Sequence, residues 1–189
     1  MSAEIIHDYL ERLSNLLRNE MRSAGIKHGL QPIQLEALHY LTLCNRYSDT
    51  PMGVTDYLGQ TKGTVSQTLK ILERDGLLIK KTDKKDKRIT HLQVTQSGYQ
   101  LLDKETPAQL IKSACDNLKQ KDQAKIANEL QELLQAIQLG NEMKSFGVCK
   151  TCEHNQTTEK NNYLCGLTQE PLSSRDIELI CREHQNNQD

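Results

Sequence analysis

Tryptophan is absent from this chain and phenylalanine occurs once, at position 146, so stacked aromatic rings are in short supply even with six tyrosines. No stretch approaches the roughly 20 apolar residues of a membrane helix, and the first residues, MSAEIIHDYLERL, carry acids early and no apolar signal core. A bacterial-type cytoplasmic protein with no membrane partner is the expectation. An excess of one charge is also missing: 24 Lys and Arg stand against 25 Asp and Glu, for a net charge of -1. That balance excludes a uniformly basic nucleic-acid binder. The 189 residues suit one domain with an appendage or two small domains, and either can bury a core.

The even totals hide an uneven distribution. Between Lys70 and Arg88 lie eight basic side chains (Lys70, Arg74, Lys80, Lys81, Lys84, Lys85, Lys87, Arg88) against four acids (Glu73, Asp75, Asp83, Asp86). Residues 141–189 reverse the sign, with five Lys and Arg against eight Asp and Glu. A local basic patch is the footprint that matters for DNA. Cysteine is skewed as well: Cys44 and Cys115 stand alone in helix-like text, whereas Cys149, Cys152, Cys165 and Cys181 crowd the last quarter.

Apolar spacing predicts a helix over residues 3–22, broken by AGIKHGLQP, and a second one resuming at Pro32 through Leu35, Leu38, Leu41 and Leu43. SDTPMGVTDYLGQ predicts a turn and a short helix. TKGTVSQTLKILERDGLL predicts another, with Thr61 as N-cap and Gly76 as stop. Two short helices joined by a tight link have the composition of a helix-turn-helix. The period then changes, and LLIKK and ITHLQV predict two strands around a polar hairpin tip, TDKKDKR. A helix capped by Thr95 follows, and a long helical segment runs from KSACDN to Gly140 with Ile126, Leu130, Leu133, Leu134 and Ile137 on its apolar side.

In the second short helix, helical spacing sends Val65, Leu69 and Leu72 inward and leaves Gly63, Ser66, Gln67, Lys70 and Arg74 outward. A side-chain amide such as Gln67 can read base edges, Lys70 and Arg74 can neutralise phosphates, and Thr64 and Ser66 can bond either. A solvated helix face is the plain alternative, and the basic hairpin directly behind it favours DNA. The stretch VTDYLGQTKGTVSQTLKILERDGLLIKKTDKKDKRITHLQVTQSGYQLL resembles the DNA-binding core of the MarR family of bacterial winged-helix transcription regulators. The likeness covers residues 30–105 by motif and extends in layout to about residue 140, and its most specific element is the Asp-x-Arg of the wing, Asp86 and Arg88. The resemblance implies that Arg88 enters the minor groove with Asp86 positioning it. Thr61, Lys62, Lys84 and Lys85 complete the candidate DNA-binding set. It also implies a homodimer on double-stranded DNA, with recognition helices about one DNA turn apart, and often a small-molecule effector. The apolar faces of residues 3–22 and 122–139 support dimerisation independently. For an effector the chain offers only His39, Tyr40 and Tyr47, each better read as core or surface.

The expected fold is therefore mainly α with a small β wing: a winged helix-turn-helix over residues 31–99, a dimerisation helix at 1–30, further dimerisation helices at 100–140, and a Cys/His-rich, metal-stapled module at 141–189. In that module Cys149-x-x-Cys152 can fold as a knuckle presenting two sulfurs to one ion. SSRDIELICREH predicts a helix capped by Ser173 that aligns Ile177, Cys181 and His184. The candidate metal ligands are Cys149, Cys152, Cys165 and Cys181, with His184 and then His154 as substitutes. Zinc ranks first as cofactor and an iron–sulfur cluster second. Loosely ordered free thiols are the plain alternative, but a short polar segment needs a staple. A thioredoxin-like use of CKTC lacks the surrounding strand and helix. The metal reads as structural, as a sensor acting on the helices before Gly140, or as the core of a protein-docking module. Nothing shapes a substrate pocket around Glu153, so the chain is not read as an enzyme and no catalytic residue is assigned.

Overall fold

The computed structural model describes residues 3–105, 109–157 and 162–186. Among the described residues seven α-helices follow one another in the chain: α1 (Ala3–His28), α2 (Pro32–Leu43), α3 (Pro51–Leu58), α4 (Lys62–Arg74), α5 (Gln96–Glu105), α6 (Gln109–Asp116) and α7 (Gln120–Gly140). Strands β1 (Leu78–Thr82) and β2 (Thr90–Val94) lie between α4 and α5, and β3 (Asn155–Thr157), β4 (Tyr163–Cys165) and β5 (Glu170–Leu172) follow α7.

Each helix of the helix-turn-helix unit starts on a residue suited to it. Pro32 opens α2, where its missing N–H is no loss. Thr50 caps α3 by accepting from Gly53 N–H at 3.1 Å, and Thr61 caps α4 by accepting from Thr64 N–H at 3.1 Å. Gly59 (φ 60°) and Gly76 (φ 70°) end α3 and α4 in the left-handed region that glycine enters without strain. Leu35, Leu38, Val54, Val65, Leu69, Leu72, Leu78 and Leu92 are fully buried together. One core therefore fixes α2, α3, α4 and the root of the β1–β2 hairpin, whose antiparallel register pairs Leu78 with Val94 and Thr82 with Thr90.

Three expectations are corrected. The first helix does not stop before AGIKHG but runs through Ala24 and Gly25 to His28. Gly25 serves close packing there, since a Cβ would collide with the Leu30 carbonyl, and the turn falls at Gly29 (φ 67°). The long segment ending at Gly140 is two helices. Asn117 Nδ2 donates to Ser113 O at 2.7 Å, and Gln123 Nε2 donates to Cys115 O at 2.8 Å and Leu118 O at 3.0 Å, so side chains compete for the carbonyls that a continuous helix would use. The helix expected over 173–184 is a single 3-10 turn, Asp176–Glu178. Its cap forms as read, with Asp176 N–H donating to Ser173 Oγ at 3.1 Å and Ser173 N–H to Asp176 Oδ2 at 2.8 Å. Leu179 then turns extended because Ile180 is drawn into backbone pairing.

That pairing joins the last segment to the rest. Ile180 N–H donates to Leu43 O at 3.0 Å, Asn45 N–H donates to Ile180 O at 2.9 Å, and Ile180 also bridges Val148 on its other side. The three-stranded sheet β3–β4–β5 is antiparallel, pairing Asn155 with Cys165 and Cys165 with Glu170. Phe146 lies 5.2 Å from Tyr57 and 6.0 Å from Tyr40, both near edge-on. Its φ of 48° is strained for a non-glycine residue, so packing holds it there.

Candidate nucleic-acid interface and cysteine site

Helix α4 sorts its residues by side. Val65, Thr68, Leu69 and Leu72 are buried, while Lys62, Thr64, Ser66, Gln67, Lys70 and Arg74 face out with Thr61 at the start. The Arg74 guanidinium is held by Asp75 at 2.8 Å. Gln67 and Lys70 lie on the same exposed face.

The hairpin tip is built by its acids. Asp83 Oδ1 accepts from Lys85 N–H and Asp86 N–H, each at 2.7 Å, and these bonds hold its carboxyl below the usual range. Arg88 lies along Asp86, with NH2 donating to Oδ2 at 2.7 Å and Nε to Oδ1 at 2.9 Å. The paired guanidinium pulls the Asp86 carboxyl down to about 2. A bidentate pair of this kind presents the arginine in one orientation. Beside the tip, opposite Lys81, His91 Nδ1 meets Asp49 at 2.6 Å and Nε2 meets Asp83 at 3.2 Å.

Lys84 and Lys85, equivalent in the sequence, are placed differently. Lys84 is exposed. Lys85 Nζ donates to Glu170 Oε1 at 2.7 Å, and Glu170 also accepts from Tyr47 at 3.1 Å. Position 170 carried no signal in the sequence, because its role depends on where β5 lands.

Cys149, Cys152, Cys165 and Cys181 line one small cavity of about 30 Å³ together with His154, Asn45, Asn155 and Leu172. All four are free thiols. Cys149 and Cys152 lie on one tight 3-10 turn, with Cys152 N–H returning to Cys149 O at 3.1 Å. Burial first, and then the neighbouring cysteines, pushes the Cys149 thiol up to about 12. The cysteines surround the space without closing on a point: among the described residues no three Cys, His, Asp or Glu side chains form a group able to hold a metal ion. His184, ranked ahead of His154 in the sequence, packs on Gly147, and its nitrogens lie 2.8 Å from Ser145 Oγ and 3.0 Å from Thr151 Oγ1. It does not line the cavity, and His154 does. Two buried amide atoms on the cavity wall, Asn45 Nδ2 and Asn155 Oδ1, have no hydrogen-bond partner among the described residues.

Of the residues considered for an effector, Tyr40 is fully buried and donates to Ser48 O at 2.8 Å, and Tyr47 lies beyond the end of α2. A wider groove of about 800 Å³ runs between α3 and α7, lined by Tyr57, Leu134, Ile137, Met143, Phe146 and Ile180 among others. Among the described residues no helix is long and apolar enough to cross a membrane.

Residues 28–89 match the family model of the MarR family. Staphylococcus aureus MepR in its DNA-binding conformation superposes with a TM-score of 0.61 at 23% identity, covering 70% of this chain and 98% of that one. The fold is the winged helix that MepR has. The complex of S. aureus MepR with DNA matches at a TM-score of 0.57 and 23% identity over 70% of this chain and 98% of that one. The regulator MhqR of Bacillus subtilis (strain 168) is 30% identical over 94 residues, 49% of this chain, and the match spans only 63% of MhqR itself. The four cysteines of the cavity lie outside the stretch matched by the MarR family model, whereas Asn45 and Tyr47 on its wall lie inside it.

Proposed function

We propose that this chain is a sequence-specific DNA-binding transcription regulator that works as a homodimer, with α4 in the major groove and the β1–β2 wing in the minor groove. The observation that carries the reading is the joint presentation of α4's outward polar face and the Arg88–Asp86 pair on an ordered hairpin. Gln67 reads a base edge, and Thr64 and Ser66 bond bases or backbone. Thr61, Lys62, Lys70, Arg74, Lys84 and Lys85 meet phosphates, and Arg88, oriented by Asp86, enters the groove where negative potential is concentrated. MepR, whose fold this chain shares, has been solved in complex with DNA. Exposed apolar side chains on α1 (Ile5, Ile6, Leu13, Leu17) and α7 (Ile126, Leu130, Leu134, Ile137) supply a surface for a second copy. The groove between α3 and α7 is where a small effector would act on helix spacing.

The second part of the reading is a metal–thiolate centre in the C-terminal module, formed by Cys149, Cys152, Cys165 and Cys181, with His154 beside them. Four thiols around one cavity in a segment with little apolar core support it. A single zinc ion holds each sulfur at about 2.3 Å, so the four side chains would have to draw inward. An iron–sulfur cluster brings its own bridging sulfides and needs less closure.

The test is selection of duplexes from a random library by the full chain, followed by anisotropy titration at fixed salt. Tight, sequence-dependent binding that weakens on Arg88→Ala and changes preference on Gln67→Ala is expected. Equal binding of all sequences by wild type and both variants overturns the assignment.

A further inference from the structure

Asn45 stands where the winged helix meets the cysteine module, and its amide is fixed from one end. Oδ1 accepts from Tyr47 N–H and from the Ser48 hydroxyl, each at 3.1 Å. Nδ2 is the end left over. The residue is 1% exposed, Nδ2 has no acceptor among the described residues, and the side chain lines the cavity shared by the four cysteines. A buried donor without a partner is unfavourable and calls for an explanation. A metal-bound sulfur supplies one, since it keeps negative charge and accepts hydrogen bonds, and such bonds help set the affinity and potential of the centre.

The same turn, residues 44–50, holds both neighbours. On the module side Asn45 N–H pairs with Ile180 O at 2.9 Å and Ser48 Oγ accepts from Arg182 N–H at 2.8 Å, so the two contacts flank Cys181. On the wing side Asp49 O accepts from Leu92 N–H of β2 at 2.7 Å, and Asp49 Oδ1 meets His91. Thr50, at its end, caps α3.

We propose that Asn45 is a positioning residue for the metal–thiolate centre, donating Nδ2–H to a metal-bound cysteine Sγ, so that filling the centre fixes the turn from which α3 and the wing are hung. The inference rests on the metal–thiolate reading above for its site. Sensing thus runs through the turn between α2 and α3, which differs from the route through the helices before Gly140 considered from the sequence. Metal occupancy and the order of the DNA-reading surface are two ends of one hydrogen-bonded segment.

The full chain, reduced and stripped of metal under anaerobic conditions, is titrated with Co(II) as a spectroscopic stand-in for zinc. In a parallel arm it is reconstituted with Fe(II) and sulfide. Asn45→Asp keeps the shape and the Oδ1 acceptor but replaces the donor by an anionic oxygen; Asn45→Leu removes the donor without adding charge. The expected result is a thiolate-to-cobalt band or an iron–sulfur chromophore in wild type, with affinity lowered about 10- to 100-fold in Asn45→Asp. Amide exchange over residues 44–50 and β2 slows on metal binding in wild type and much less in the variants. A wild-type chain giving neither chromophore overturns the metal–thiolate reading itself. A wild type that binds metal while both variants match its affinity, its spectrum and its exchange overturns the role of Asn45. Should Asn45→Asp not fold, Asn45→Leu and the wild-type exchange data decide alone.

Discussion

The Ser48 hydroxyl accepts a hydrogen bond from the Arg182 backbone N–H at 2.8 Å, tying together positions 134 residues apart, and donates in turn to Asn45 Oδ1 at 3.1 Å. Ser48 is completely buried, so water does not stand in for its hydroxyl. Ser48→Ala leaves both without their bond and should destabilise the docked module by roughly 1–3 kcal/mol. The check is limited proteolysis with a thermal melt: cleavage within residues 141–189 should quicken ahead of cleavage in α2–α4. Uniform protection of both parts contradicts the link.

On the DNA side, Arg88, Gln67 and Lys70 are exposed, so truncating them should leave the melting temperature unchanged and act on binding alone. Arg88→Ala should weaken binding roughly tenfold or more, because it removes the one guanidinium poised at the wing tip. Gln67→Ala should relax preference at one base position. Lys70→Ala should weaken all sequences alike and lower the salt slope by about one. Anisotropy titrations over several sequences and salt concentrations separate the three.

The ion pair between Lys85 and Glu170 divides two lysines that the sequence treats alike. Lys84→Ala should reduce DNA affinity more than Lys85→Ala, since the Lys85 ammonium already has a carboxylate at 2.7 Å. Glu170→Gln should free Lys85 and raise affinity by up to about fivefold, the range of an exposed ion pair. A Lys85→Ala effect equal to that of Lys84→Ala goes against this division.

Much of the winged helix was legible because its information is local. Val65, Leu69 and Leu72 repeat at helical spacing, Thr61 and Gly76 bracket them, and the period switches to that of strands at Leu78. What sequence could not supply depends on meetings between distant backbones. Ile180 leaves the 3-10 turn to pair with Leu43 and Asn45, and backbone pairing of that kind has no residue signature. Hence the helix expected through His184 did not form, and Asn45, an ordinary polar residue in a turn, gave no sign of facing the cysteines. Gly25 read as a breaker although it is needed inside α1 for contact with Leu30.

His91 makes the wing's attachment sensitive to pH. Burial lowers its pKa, but hydrogen bonds and charge from Asp49 and then Asp83 outweigh burial and hold it above its ordinary value of 6.5. A group whose pKa is raised on folding contributes stability that is full below the unfolded value and is lost as pH rises through the folded one. Anchoring of β2 should therefore be full below the ordinary histidine value of 6.5 and weaken as pH rises above it. Amide exchange at Leu92, whose N–H pairs with Asp49 O, reports it directly. His91→Gln should flatten the dependence; a slope unchanged in the variant assigns it to another group.

The apolar rows on α1 and α7 set the last expectation. Ile126, Leu130 and Ile137 are each more than two-fifths exposed on one chain, as are Ile5 and Leu13. Isolated exposed apolar residues are ordinary, but two helices carrying them in rows are the mark of a surface that another copy covers. Ile126→Glu with Leu130→Glu places two carboxylates in that row without touching the winged-helix core. Light scattering should show wild type as a dimer and the double variant as a monomer of unchanged helix content. Because a dimer offers two half-sites at once, its loss should lower affinity for a two-half-site duplex by at least about tenfold, while binding to a single half-site changes little. A monomeric wild type, or a double variant that stays dimeric and binds as before, removes α7 from the interface.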